Sequence, residues 1–159
     1  MANDSIPMTQ AGYDQLRNEL KKLMKEERPA VVQAIEEARG HGDLSENAEY
    51  DAAKDRQAQI EGRILELNDM IARAEVIDPS KINSDKIVFG ATVTLFDTES
   101  EENVTYKIVG EHEANIKEGR ISVTSPVGKA LIGHELDDEV RIQVPSGVRT
   151  YEVVDIRYE

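Results

Sequence analysis

Ile60, Ile64, Leu67, Ile71 and Ala74 step by four, three, four and three, and no other feature of the chain constrains its fold as tightly. A seam of that period suits a helix that packs along its length against a second helix. The second helix is foreshadowed upstream, where Leu16, Leu20 and Leu23 repeat at helical spacing and Val31, Ile35 and Ala38 continue them. The short connection Gly40-His41-Gly42-Asp43 predicts that the two helices turn back on each other as an antiparallel coiled-coil hairpin. Each arm holds about 30 residues, so at ~1.5 Å per residue the hairpin is ~45 Å long. Between 9 and 78 the good helix formers Ala, Glu, Lys, Arg, Gln and Leu dominate. Pro29 predicts a kink in the first arm, because proline removes a backbone donor and clashes with the preceding turn. Toward the turn the seam shifts to Ala34, Ala38, Ala48, Ala52 and Ala53, which predicts a slender end with almost no core of its own.

After Pro79 the texture changes to short runs of Val, Ile and Thr punctuated by Gly, Pro and Asn. Such runs read as strands and turns. Residues 87–96, 104–109, 121–124, 140–144 and 150–158 are the expected strands, and 127–132 the expected short helix. The predicted class is α+β, an N-terminal helical hairpin followed by a small antiparallel sheet with a short helix on one face. Its expected divisions are a hairpin over 1–78 with its tip at 40–50, a linker over 79–86 and a sheet domain over 87–159. The boundary is set at Asp78-Pro79, since the residue before a proline is pushed out of the α region.

Charge and composition exclude several functions. Nineteen Lys and Arg face 32 Asp and Glu, a net charge of −13, and both halves carry an acidic excess. A chain of that balance does not hold duplex DNA by neutralising phosphates. Two Phe, five Tyr and no Trp also argue against base-stacking platforms. Without cysteine there is no thiolate nucleophile and no cysteine-ligated metal. No apolar run reaches the ~20 residues that cross a bilayer. Residues 1–7 lack the pattern of a signal peptide, so a cytoplasmic protein without a membrane role is expected. The three histidines are scattered, and the glycines match neither a Walker A nor a dinucleotide fingerprint.

The hairpin tip is where chemistry concentrates. Asp43 and Glu46 lie three apart, and on the first turn of a helix that spacing puts two carboxylates on one face. The same spacing fits a capping box, with Asp43 as N-cap and Glu46 reaching back, and Ser45 as a second capping residue. Two acids alone make a weak Mg²⁺ site, since Mg²⁺ takes near-octahedral oxygen coordination. They become useful beside a metal site supplied by another molecule, where they complete a two-metal arrangement for phosphodiester cleavage.

The segment Gly42-Asp43-Leu44-Ser45-Glu46-Asn47-Ala48-Glu49-Tyr50 resembles the tip signature of the Gre transcript-cleavage factors. The resemblance extends to Ile6-Pro7-Met8-Thr9, Val76-Ile77-Asp78, Val88-Phe89-Gly90-Ala91-Thr92-Val93, Ser125-Pro126 and Leu131-Ile132-Gly133, in that order. It implies an FKBP-like sheet domain that docks on bacterial RNA polymerase, and a hairpin that enters the polymerase secondary channel. It also implies that Asp43 and Glu46 assist the polymerase Mg²⁺ and a water during hydrolysis of the 3′ end of backtracked nascent RNA. The chain would then be an accessory transcription elongation factor without stand-alone catalysis, holding no cofactor alone and sharing Mg²⁺ with the polymerase active site. Arg39, Ser45, Tyr50, Lys54 and Arg56 are the further residues expected near RNA. A monomer is expected, because the hairpin buries its own seam. The competing readings are a channel-blocking inhibitor of the polymerase, an FKBP-like isomerase or chaperone, and a purely structural coiled-coil adaptor.

Overall fold

The computed structural model describes residues 4–42 and 47–159. The chain separates into two compact units, one over 13–73 and the other formed by 4–12 together with 74–159. Sequence texture divides at 78, but the structural division falls earlier. The short strand β1 (Ile6–Met8) pairs in parallel with β2 (Ala74–Val76), which draws both ends of the hairpin segment into the second unit.

The first unit is a helical hairpin. Helix α1 (Gln10–Lys22) runs through a π-helical turn (Leu23–Glu27) into α2 (Arg28–Arg39), and α3 (Ala48–Ala72) forms the returning arm. The expected kink at Pro29 takes the form of that π turn. The Arg28 N–H reaches the Leu23 carbonyl five residues back, and Glu27 and Arg28 keep right-handed helical angles. A wider turn just ahead of the proline relieves the clash that its ring makes with the carbonyl four residues before it. Leu16, Leu23 and Val31 of the first arm and Ile60, Ile64 and Leu67 of the second are buried. Toward the turn, among the described residues, Ala38 and Ala53 are buried whereas Ala34, Ala48 and Ala52 are exposed, so the alanine seam is narrower than its composition predicts. Ala74 belongs to β2 rather than to the helical seam, because α3 ends at Ala72.

The second unit is a five-stranded sheet in the order β5-β4-β3-β7-β6. Its strands are β3 (Thr92–Asp97), β4 (Asn103–Val109), β5 (Arg120–Ser122), β6 (Glu139–Val144) and β7 (Gly147–Arg157). Three of the pairings are antiparallel, as expected; β4 with β5 is parallel, so the sheet is mixed. Helix α4 (Pro126–Leu131) sits in the connection from β5 to β6 and packs against both, closing a core built on Ile87, Val93, Leu95, Ile108, Leu131, Ile142 and Val153. The expected strand over 87–96 begins only at Thr92, since Ile87 is held instead by backbone hydrogen bonds with Gly133 and His134. A register shift at Thr94/Leu95 leaves Val154 of β7 unpaired, a β-bulge. Within the expected linker over 79–86, Pro79 is buried and Lys86 bridges to Glu135.

A buried carboxylate ties the N-terminal segment into this unit. Glu113 accepts hydrogen bonds from the Thr9 N–H (3.0 Å), the Thr9 hydroxyl and the Gly110 N–H (3.0 Å). Thr9 in turn accepts from the Gly12 N–H, as an N-cap does at the start of a helix. Any side chain at Gly12 would run into the Glu113 carboxyl. Among the described residues no helix is long and apolar enough to cross a membrane.

Candidate functional site

Helix α2 tightens over its last residues toward the tip. The Gly40 N–H bonds to the Glu36 and Glu37 carbonyls, and His41 and Gly42 bond three residues back to Ala38 and Arg39. Gly42 then takes φ +106°, a conformation that a side chain strongly disfavours. On the other side of the turn Asn47 caps α3, its Oδ1 accepting from the Tyr50 N–H at 3.1 Å. Its Nδ2 donates to the Ala38 carbonyl at 2.6 Å, so one side chain satisfies the start of one arm and the end of the other. His41 Nδ1 lies 2.9 Å from Glu49 Oε2, a second cross-link at the same level that is an ion pair when the imidazole is protonated.

Asp43, Ser45 and Glu46, three of the residues expected to act at the tip, lie outside the described residues. The capping expected of Asp43 and Ser45 therefore lies outside the described residues as well; α3 starts at Ala48 and its N-cap is Asn47. Asn directly before Ala48-Glu49-Tyr50-Asp51, a helix start with two acids in its first turn, was the signal that identifies the true cap.

The other candidates are placed as follows. Arg39 is exposed in the last turn of α2, and Tyr50 is half-buried in the first turns of α3. Lys54 Nζ donates to the Gln57 side chain at 3.2 Å. Arg56 reaches across the hairpin to Glu27, 3.1 Å away, and so serves the contact between the arms. Among the described residues, no three His, Asp or Glu side chains converge as a metal site.

Further from the tip, two bidentate pairs join the arms. Arg28 donates to Glu61 at 2.8 and 2.7 Å, and Arg63 to Glu19 at 2.7 and 2.9 Å. The hydrogen bonds from Arg63 hold the Glu19 carboxyl below its ordinary range, and those from Arg28 do the same for Glu61. Such forked guanidinium–carboxylate contacts are directional as well as charged.

The profile described as the N-terminal domain of transcription elongation factors GreA and GreB matches residues 6–76, and the GreA/GreB C-terminal profile matches 82–158. The chain belongs to the GreA/GreB family of transcription elongation factors. Within that family it is 69% identical to "Transcription elongation factor GreA" of Syntrophotalea carbinolica, over 98% of this chain and 99% of the relative. The GreA protein of Pelobacter propionicus is 65% identical, with 98% of each chain covered. A solved structure, GreA factor homolog 1 (Gfh1) of Thermus thermophilus, aligns over 96% of this chain and 99% of its own at 31% identity and a TM-score of 0.44. The two GreA/GreB profiles meet between 76 and 82, close to the change of texture at Pro79.

Proposed function

We propose that this elongation factor inserts its hairpin tip into the secondary channel of bacterial RNA polymerase and stimulates the polymerase's own cleavage of backtracked RNA at the 3′ end. Membership of the GreA/GreB family supports transcription elongation as the setting. One observation carries the finer reading: the chain between Gly42 and Asn47, which joins two arms cross-linked at their ends, contains both Asp43 and Glu46. The protein supplies no complete active site in this reading, and the hydrolysis belongs to the polymerase.

The donor set suits Mg²⁺. Two carboxylates are hard oxygen ligands of the kind that Mg²⁺ takes, and they fall short of the six that it needs, so the rest come from the partner, its nucleic acid and water. Asp43 and Glu46 are the residues that would hold the ion, which supplies charge neutralisation and an activated water at a phosphodiester. The task of this chain's own residues is delivery. Asn47 bonds to the Ala38 carbonyl across the ends of the two arms, and Gly42 leaves α2 with φ +106°. The exposed Arg39 and the half-buried Tyr50 are the tip residues best placed to meet RNA.

The deciding experiment uses stalled, backtracked elongation complexes carrying 3′-labelled RNA in the presence of Mg²⁺. Wild-type protein is expected to release short labelled fragments. Asp43→Asn and Glu46→Gln are each expected to reduce release at least ~10-fold, the lower end of what losing a metal-orienting group costs. Fragment release unchanged in both variants would sink the reading, and slowed elongation without any release by wild type would make the protein a channel-blocking regulator.

A further inference from the structure

We propose that the three Arg–Glu pairs crossing the hairpin, Glu19–Arg63, Glu27–Arg56 and Arg28–Glu61, set the register of its arms and thereby act as positioning residues for the acids at the tip. The inference rests on the proposed function only for what the register serves.

A heptad seam leaves register under-specified by construction. Ile60 and Leu67 lie seven apart, as do Ile64 and Ile71, so sliding α3 by one heptad lays apolar residues on the positions of apolar residues. Nearer the tip, among the described residues, the seam offers the small Ala38 and Ala53, whose packing discriminates weakly between neighbouring positions. In coiled coils such degeneracy is lifted by charges flanking the seam.

The three pairs have the sign pattern for that task. Along the first arm the charges run Glu19, Glu27, Arg28, and along the second their partners run Arg63, Arg56, Glu61. Slide α3 by seven residues one way and Arg28 faces Lys54 while Glu27 faces Glu49, two like-charge contacts. Slide it the other way and Arg28 faces Asn68 while Glu19 faces Met70, which leaves both without a counter-charge. Only the observed register pairs all three.

The location of two of the pairs adds to their weight. Glu27 ends the π-helical turn and Arg28 begins α2, so both sit where the helical phase of the first arm changes. An extra residue in a turn rotates everything beyond it relative to the seam, and two contacts of opposite polarity, one to Arg56 and one to Glu61, fix the phase after the change. Each pair is half-exposed and on its own worth little to stability. Register is where they matter, because one turn of slip moves the tip by ~5 Å along the axis, and an oxygen ligand of Mg²⁺ has to lie at ~2.1 Å.

The experiment measures register directly. The chain has no cysteine, so spin labels placed at Asn18 and Ala52, exposed positions near opposite ends of the two arms, report any slide along the axis as a change of separation. Wild type is expected to give one distance. Glu61→Arg, which sets two cations against each other, is expected to shift or split it by ~5 Å or more, one helical turn. The same variant is expected to lose cleavage stimulation by about tenfold with helicity retained, and the charge swap Arg28→Glu/Glu61→Arg to recover both the distance and the stimulation. An unchanged distance in folded Glu61→Arg overturns the register role, and a shifted distance with full stimulation overturns the positioning role. Should Glu61→Arg fail to fold, Glu61→Gln carries the test on the same criteria, with a broadened distance as the expected result. Absence of stimulation by unlabelled wild type would instead defeat the proposed function, and the label distances would then decide the register role alone.

Discussion

Asn47 is one amide spanning two helices. Its carbonyl oxygen takes the Tyr50 N–H, one of the donors that a helix start leaves without an intrahelical partner, and its NH₂ takes the Ala38 carbonyl at the end of the other arm. Aspartate at this position would keep the first bond and place a carboxylate against a carbonyl oxygen in the second. Alanine would lose both. Asn47→Ala is therefore expected to destabilise the hairpin by about 1–2 kcal/mol, the upper part of the range for losing an N-cap, as read from the midpoint of helical melting. Asn47→Asp separates the two bonds, since it restores the cap alone and should recover only part of the loss. Equal stability of Asn47→Ala and wild type would show that the amide does not join the arms.

The hairpin as an element also responds to pH, and the sign follows from the pairs that cross it. Glu19 and Glu61 accept from Arg63 and Arg28, and both carboxyls are held below their ordinary value of 4.5. A depressed carboxyl contributes stability that is present above the value in the unfolded chain and is lost as pH falls through the value in the folded one. The helical melting midpoint should thus fall on acidification below pH 4.5, and fall less steeply in Glu19→Gln/Glu61→Gln; parallel pH profiles for the two proteins would contradict this. At this scale much was legible in sequence. The step of Ile60, Ile64 and Leu67 revealed the returning arm, and Pro29 marked the irregular place in the first. That the irregularity is a π turn was not legible, because it depends on which carbonyl the Arg28 N–H finds once the arms are packed. The role of Asn47 was hidden for a related reason: its bond to the Ala38 carbonyl exists only in the folded hairpin. The parallel pairing of β4 with β5 was equally hidden, since a strand of three residues carries no sign of its direction.

For the whole molecule the telling fact is the order of the chain. From residue 4 the described chain runs in the second unit, leaves it after residue 12 for the hairpin, and returns at 74. The sheet unit is thus discontinuous, and its first segment is held by β1 on β2, by the Ile77 N–H on the Met8 carbonyl and by Glu113 on Thr9. Met8 is fully buried. If 4–12 were merely the start of the hairpin, trimming Met8 would loosen the helices. Because the segment belongs with the sheet unit, Met8→Ala should destabilise that unit instead, by on the order of 2 kcal/mol or more for a buried Met reduced to Ala. Amide hydrogen exchange tests this segment by segment. Where exchange requires unfolding of the unit, a loss of 2 kcal/mol accelerates it about 30-fold, and that acceleration is expected across β3, β4 and β7 with little change in the middle of α3. Acceleration confined to α3 would place residues 4–12 energetically with the hairpin. Acceleration across the sheet strands would separate the two units by stability, leaving the arms to depend on their seam and crossing pairs and the sheet to depend on a segment that precedes it by more than 60 residues.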